Sequence, residues 1–284
     1  GKSPNAVLAL QHRLADKIIM TKIRDRFGGN IRFFISGSAA LNRDVARWFD
    51  AMGLQISEGY GMTESSAATT VNRVVAYKYG SVGWPLPGTE LVLASDGEIL
   101  MRGPGVMQGY HNNPEATAET LDSDGWLHTG DIGEIDERGF IRLTDRKKDL
   151  FKTSNGKYVA PSQIESMFKG LCPYASQIVV YGNDRNFVSA LVTLDPEAIV
   201  GWAAANGLEG SSYEELASSE QAKAMIQGYI EQLNAGLNRW EQIKKFTILG
   251  SDLSIENGEL TPSLKVKRKV VTERYKKELD AHYA

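Results

Sequence analysis

One succession of short blocks restricts the fold of this chain more than any other feature. An apolar run, Ile31 to Ile35, leads into the small residues Ser36-Gly37-Ser38-Ala39-Ala40. Asn42 then opens a stretch whose apolar positions Val45, Trp48, Phe49 and Met52 follow helical spacing, and Gly53 closes it before a second run, Leu54 to Ser57. A short polar side chain at Asn42 suits a helix start, and glycine accepts the left-handed backbone of a helix stop. Strand, small-residue loop, helix and strand in that order predict a βαβ unit, whose loops at the carboxyl ends of the strands are where α/β proteins hold ligands. Upstream, Val7, Leu8, Leu10, Leu14, Ile18 and Ile19 predict a helix ending at Gly28-Gly29-Asn30. The Ile31 to Ile35 run itself reads as a buried strand.

From Gly80 the texture changes. Short alternating segments broken by glycine and proline, such as Leu91 to Leu93, Glu98 to Met101 and Phe140 to Leu143, predict a small barrel or sandwich. Near Asp145 it changes again. A hairpin-like segment, a helix over Ser162 to Phe168, strands at Gln177 to Tyr181 and Val188 to Leu194, and helices between Glu197 and Leu237 predict an α+β domain of its own. The expected division is therefore 1–146 and 147–284.

With 284 residues, 42% hydrophobic and 24% charged, the chain can bury a substantial core, and disordered, collagen-like and coiled-coil classes are excluded. A net charge of -3 gives no whole-chain attraction to nucleic acid or anionic membrane. The single cysteine, Cys172, has no internal partner for a disulfide and fits a reducing, cytoplasmic compartment. No apolar run approaches the roughly 20 residues of a membrane span. Contact with a membrane surface stays open, as does oligomeric state.

Glu58-Gly59-Tyr60-Gly61-Met62-Thr63-Glu64 carries the chemistry most densely. Its glycines permit close backbone approach to a ligand, the tyrosine offers a face to a base, the threonine hydroxyl can donate to a phosphate and Glu64 can hold Mg²⁺. Taken alone, the segment reads equally well as a strand-to-loop turn. The histidines show no metal spacing, and His128 reads as a packing or hydrogen-bonding residue. Lys265, Lys267, Arg268, Lys269, Arg274, Lys276 and Lys277 form a basic run, readable as a solvated helix face or a nucleic-acid arm. Only Tyr275 accompanies it as an aromatic, so no nucleic-acid partner is expected. No G-x-G-x-x-G follows a strand, which argues against a dinucleotide oxidoreductase.

The YGMTE segment resembles the nucleotide motif of the adenylate-forming superfamily of acyl-CoA synthetases, luciferases and peptide-synthetase adenylation domains. Further stretches resemble that family's motifs in the same order: Gly97-Glu98-Ile99 through Arg102-Gly103-Pro104 to Gly109-Tyr110, Trp126-Leu127-His128-Thr129-Gly130-Asp131, Asp145-Arg146-Lys147-Lys148-Asp149-Leu150, and Pro262-Ser263-Leu264-Lys265. The wording from Asp145 to Pro161, together with His128-Thr129-Gly130-Asp131, is most similar to long-chain fatty acyl-CoA synthetases. The resemblance implies an α/β region and β-barrel remnant of a large N-terminal domain, followed by a small α+β C-terminal lid domain.

It also implies an ATP-dependent ligase that turns a fatty acid into acyl-AMP and then into acyl-CoA, with ATP, Mg²⁺ and CoA taking part. Ser38 and Ala39 would line the adenine pocket, with Tyr60 stacked on the base and Gly61 beside it. Thr63 would meet the α-phosphate, Glu64 would hold Mg²⁺, Asp131 the ribose hydroxyls and Arg146 the nucleotide. Lys148 would be the hinge, Lys265 the adenylation lysine, and Lys152 with Gly156 would serve thioester formation. Leu264 departs from the pattern, since many relatives have glycine there. Nothing before Gly37 resembles the family's triphosphate loop, so the expectation is a C-terminal portion inactive by itself. Transfer to a carrier protein, or a non-catalytic nucleotide-binding module, are the rival readings.

Overall fold

The computed structural model describes residues 5–284 as two compact units that divide between Thr144 and Asp145. The sequence-based division falls two residues later.

The first unit opens with α1 (Ala6–Ala15), a π-helical turn at Asp16–Met20 and α2 (Thr21–Arg26). Strand β1 (Phe34–Ser36), helix α3 (Arg43–Ala51) and strand β2 (Ile56–Met62) follow, and β1 pairs in parallel with β2 in the register Phe34 to Ile56. This is the expected βαβ unit. Asn42 caps α3 by accepting from the N–H groups of Asp44 and Val45. Burial departs from expectation. Ile35 is 74% exposed and Trp48 is 50% exposed, because β1 has only β2 as a strand neighbour among the described residues and α3, though Phe49 packs against Phe34, leaves Val45 and Trp48 uncovered.

The glycine-rich motif also departs, since Gly59, Tyr60 and Gly61 lie inside β2 rather than in a loop after it. Strand β3 (Ala67–Val71) folds back antiparallel so closely that a Cβ on Gly61 would lie 1.6 Å from the Ala67 carbonyl oxygen. Glycine is there to admit a neighbouring strand, not to make a turn. Strand β4 (Trp84–Pro85) completes this sheet. Next comes a curled half-barrel of β5 (Glu90–Leu93), β6 (Glu98–Arg102), β7 (Leu127–Ile135) and β8 (Ile141–Arg146), whose last two residues fall past the unit boundary, with α4 (Pro114–Thr120) inserted before β7. Tyr60, Val82, Ile99, Met101, Leu127 and Ile141 form its core.

The second unit begins with a hairpin of β9 (Phe151–Lys152) and β10 (Tyr158–Val159), then α5 (Pro161–Leu171). Strands β11 (Ala175–Tyr181) and β12 (Val188–Leu194) pair antiparallel. Helices α6 (Ala198–Ala205), α7 (Tyr213–Ser218) and α8 (Glu220–Asn234) lead to β13 (Ile243–Ile248), which joins β12 in parallel, and α9 (Arg268–Arg274) and α10 (Lys276–Ala281) end the chain. The sheet is covered on both faces, and strand alternation sorts its side chains between them. Ile178, Val180, Ala190 and Val192 pack with Phe168, Ile226 and Ile230 of the helices on one side. Val179 and Leu191 meet Leu260, Val271 and Leu279 on the other. No helix among the described residues is long and apolar enough to cross a membrane.

Candidate functional site

The site residues fall into two groups, one in each unit. In the first, the small-residue loop leaves β1 and lies against β2, where a Cβ on Gly37 would sit 3.3 Å from the Gly59 carbonyl oxygen. Ser38 adopts φ +67, a left-handed conformation that a non-glycine residue keeps only when its surroundings impose it. Part of that imposition is visible. Glu58, 7% exposed within β2, accepts a 3.0 Å hydrogen bond from the backbone N–H of Leu41, just beyond Ala39 and Ala40. Burial pushes the Glu58 carboxyl up to about 7, against the smaller opposing effect of the Leu41 bond.

Tyr60 points across to the half-barrel. Its hydroxyl donates to Asp131 Oδ2 at 2.6 Å, joining residues 71 positions apart, and both are buried. Asp131 stands in β7 directly after Gly130, whose φ of +69 demands glycine. Glu98 accepts from the Gly130 N–H at 2.8 Å, and Thr129 Oγ1 donates to the Ile99 carbonyl and accepts from the Asp131 N–H. The stretch of β7 carrying the aspartate is thereby fixed to β6. His128, in the same strand, has Nδ1 3.4 Å from Glu98 Oε2.

Thr63, Glu64 and Ser65 form a 3₁₀ turn after β2. The loop after β6 wraps it: Ser66 Oγ donates to the Gly105 carbonyl, Met107 N–H to the Glu64 carbonyl, and the Tyr110 hydroxyl to Glu64 Oε1 at 2.9 Å. Burial and the adjacent Glu64 both raise the Tyr110 phenol. Ser38, Ala39, Tyr60, Gly61, Thr63, Glu64 and Asp131 therefore belong to one set of interlocked segments. Sequence reasoning missed Glu58, Glu98 and Tyr110 as its supports. Each lies within a motif already singled out, and a carboxylate at an inward position of a strand was the available signal for the first two.

In the second unit, Asp145 accepts from the N–H and hydroxyl of Ser162 at the start of α5, at 3.3 and 3.0 Å, and burial raises its carboxyl. Arg146 begins a tight turn, its carbonyl accepting from Asp149 and Leu150, with Lys148 inside that turn. Lys152 and Gly156 share the β9–β10 hairpin, where a Cβ on Gly156 would lie 3.7 Å from Lys152 Cε and Lys152 Nζ lies 5.7 Å from the centre of the Tyr158 ring. Lys265 is exposed in a separate hairpin just before α9, preceded by Leu264 at φ +60. That φ is one that glycine adopts without steric cost.

No group of three or more His, Cys, Asp or Glu side chains among the described residues could hold a metal ion by itself. A cation at Glu64 would draw one carboxylate from the chain and its remaining oxygens from substrate phosphates and water, which is the donor set Mg²⁺ favours.

A buried carboxylate, a hydroxyl-bearing turn and a small-residue loop on a βαβ unit thus stand together beside a half-barrel. Residues 4–111 match the AMP-binding enzyme family and residues 148–284 match the AMP-binding enzyme C-terminal domain. The chain belongs to the adenylate-forming superfamily. It is 41% identical over 281 residues to the long-chain-fatty-acid–CoA ligase FadD15 of Mycobacterium bovis, covering 99% of this chain and 46% of that one. To human long-chain-fatty-acid–CoA ligase 6 it is 38% identical over 284 residues, covering 95% of this chain and 40% of that one. Among solved structures it is similar to the adenylation domain of a Mycobacterium chelonae carboxylate reductase, with a TM-score of 0.75 and 26% identity over 100% of this chain and 43% of that one. A second is the A-PCP didomain of a Segniliparus rugosus carboxylic acid reductase in complex with AMP, at TM-score 0.72 and 27% identity, covering 95% of this chain and 37% of that one. The chain spans less than half the length of each of these relatives.

Proposed function

We propose that the whole protein to which these residues belong activates a long-chain fatty acid with ATP, forming acyl-AMP and pyrophosphate, and then transfers the acyl group to CoA with release of AMP. The observation that carries this reading is the joining of Tyr60 to Asp131, with the Thr63–Glu64 turn locked beside them, in a chain 36–41% identical to enzymes named for that ligation.

The chemistry brings two anions together, a carboxylate and the α-phosphate of ATP, so catalysis rests on placement and charge neutralisation. Asp131 accepts the ribose hydroxyls, the loop at Ser38 and Ala39 leaves room for adenine, and the Tyr60 ring and Gly61 border it. Thr63 donates to the α-phosphate, and Arg146 meets the nucleotide. Mg²⁺ held at Glu64 would neutralise phosphate charge. Lys265 supplies positive charge to the first half-reaction, whereas Lys152 and Gly156 act in the second, with Lys148 as the pivot between them. Residues 147–284 would then be a lid serving both steps. The setting is cytoplasmic, consistent with a single buried cysteine.

Separate assays of the two half-reactions in the full-length enzyme test this. Lys265→Ala should slow pyrophosphate release by about 100-fold or more while acyl-CoA formation from supplied acyl-AMP stays near normal, because a charge used in only one transition state affects only that step. Lys148→Pro should do the reverse, since proline fixes φ near -65° and removes the freedom a pivot needs. Equal slowing of both steps by Lys265→Ala would remove the assigned role. The 284-residue chain alone should form no acyl-CoA. The rival reading is transfer to a carrier protein, and comparing CoA with a carrier protein as acceptor tests between them.

A further inference from the structure

Lys265 is exposed on a hairpin tip, yet the base of that hairpin holds a carboxylate with no exposure at all. We propose that Glu259 is a positioning residue that fixes the register of this hairpin and so aims Lys265; the proposal rests on the reading of Lys265 given above.

The hairpin runs from Glu259 to Lys267. At its base the Lys267 N–H donates to the Glu259 carbonyl at 2.8 Å, and Leu260 pairs with Val266 as an isolated antiparallel bridge. At its tip the Thr261 N–H donates to the Lys265 carbonyl, the Leu264 N–H to the Thr261 carbonyl, and the Lys265 N–H to Thr261 Oγ1 at 3.0 Å. Side chains alternate along the returning arm. Val266 packs with Val179, Leu191 and Leu260, while Lys265 and Lys267 are exposed. A slip of one residue would turn Lys265 toward the core and Val266 toward solvent.

The tip cannot specify that register alone, because Leu264 holds φ +60 against its own preference. The base can. The Glu259 side chain is 0% exposed and both of its oxygens are engaged: Oε2 accepts from the Ser254 N–H at 3.0 Å, Oε1 accepts from the Tyr275 hydroxyl at 3.0 Å, and Arg274 Nη1 forms an ion pair with Oε1 at 3.2 Å. The Glu259 N–H also donates to the Ser254 carbonyl at 3.1 Å. One buried carboxylate thus ties the hairpin base to the preceding loop and to the end of α9. Any other register would strand this charge away from its donors, a strongly unfavourable arrangement in the interior. The returning arm has its own anchor at the same base, since Arg268, the residue after Lys267, forms a bidentate pair with Glu165 at 2.8 Å for both contacts. Glu259 is thus the charged anchor of the outgoing arm, as Arg268 is of the returning one.

Glu259→Gln preserves shape and the Ser254 bond while removing the charge that faces Arg274. In the 284-residue chain, amide hydrogen exchange at Lys265 and Lys267 should quicken about tenfold, with the amides of β12 unchanged. In the full-length enzyme, acyl-AMP formation should fall about tenfold in kcat while thioester formation from supplied acyl-AMP stays within about twofold. Glu259→Asp, which retains the charge, should recover part of that loss. Unchanged exchange at the hairpin would overturn the proposal, and so would equal slowing of both half-reactions, which marks a merely structural group. If Lys265→Ala left adenylation intact, the reading of Lys265 would fail instead, and the exchange result would separate the two failures.

Discussion

The two units bury their apolar residues very differently. In the second, β12 is buried at all seven positions and two clusters cover both faces of its sheet. In the first, neither α1 nor α2 has a buried residue, and Leu10, Leu14, Ile19, Ile35 and Trp48 are all at least half exposed. Its buried cluster belongs to the half-barrel and the strand that feeds it. The contrast teaches that ordered local geometry and self-sufficient stability are separate properties. The interlocked segments of the first unit are held by specific hydrogen bonds such as Tyr60 to Asp131, whereas the unit carrying Lys265 is held by a closed apolar interior.

The contrast is broken most directly by limited proteolysis. Cleavage near the turn that follows Arg146 should leave a resistant piece ending at Ala284, with the first unit digested at least about tenfold faster, since cleavage follows the population of opened states. Survival of the N-terminal piece instead would invert the comparison. A smaller effect sharpens it. Phe168→Ala, at a fully buried ring, should destabilise the second unit by about 3–5 kcal/mol, and Gly61→Ala should cost the first about 2–4 kcal/mol by forcing β3 away. Urea unfolding should show each loss in a different transition, and a single shared transition would mean that the units unfold as one.

The mildest test is pH. Glu58 keeps its proton in the folded chain up to about 7 but loses it near 4.5 when unfolded. Between those values the folded state binds more protons, so stability of the first unit falls as pH rises through that window and levels above it. The drop should amount to about 2–4 kcal/mol at most and vanish in Glu58→Gln, as read from unfolding midpoints at pH 5 and pH 8. A pH-independent wild-type midpoint would show that Glu58 is less enclosed than its 7% exposure indicates.

Much of the architecture was legible where local chemistry and tertiary packing agree. Asn42 and Gly53 bracket α3, and the run Val188 to Leu194 coincides with β12. The misses have physical causes. Ile31 to Ile35 promised burial because composition reports apolarity, while burial needs a covering layer that β1 lacks among the described residues. β13 went unread because the adjacent Lys244 and Lys245 interrupt its alternation; parallel pairing to β12 makes it a strand regardless. Within the site, Glu64, Thr63 and Asp131 were readable as residue types. The bonds of Tyr60 to Asp131 and of Glu98 to Gly130 join distant positions and became visible only with the fold.

The left-handed leucine before Lys265 also bears on which substitutions the chain tolerates. At most sites, chemical likeness to the resident side chain predicts acceptance. At position 264 backbone sterics dominate, since the side chain is 62% exposed and contributes little packing. Valine and isoleucine, the nearest relatives of leucine in polarity and size, carry a branched Cβ that fits worst at positive φ. Glycine and asparagine, which share none of its character, fit best. Exchangeability at this one position therefore runs opposite to the usual similarity order, and a substitution scan scored by polarity alone would rank its variants backwards.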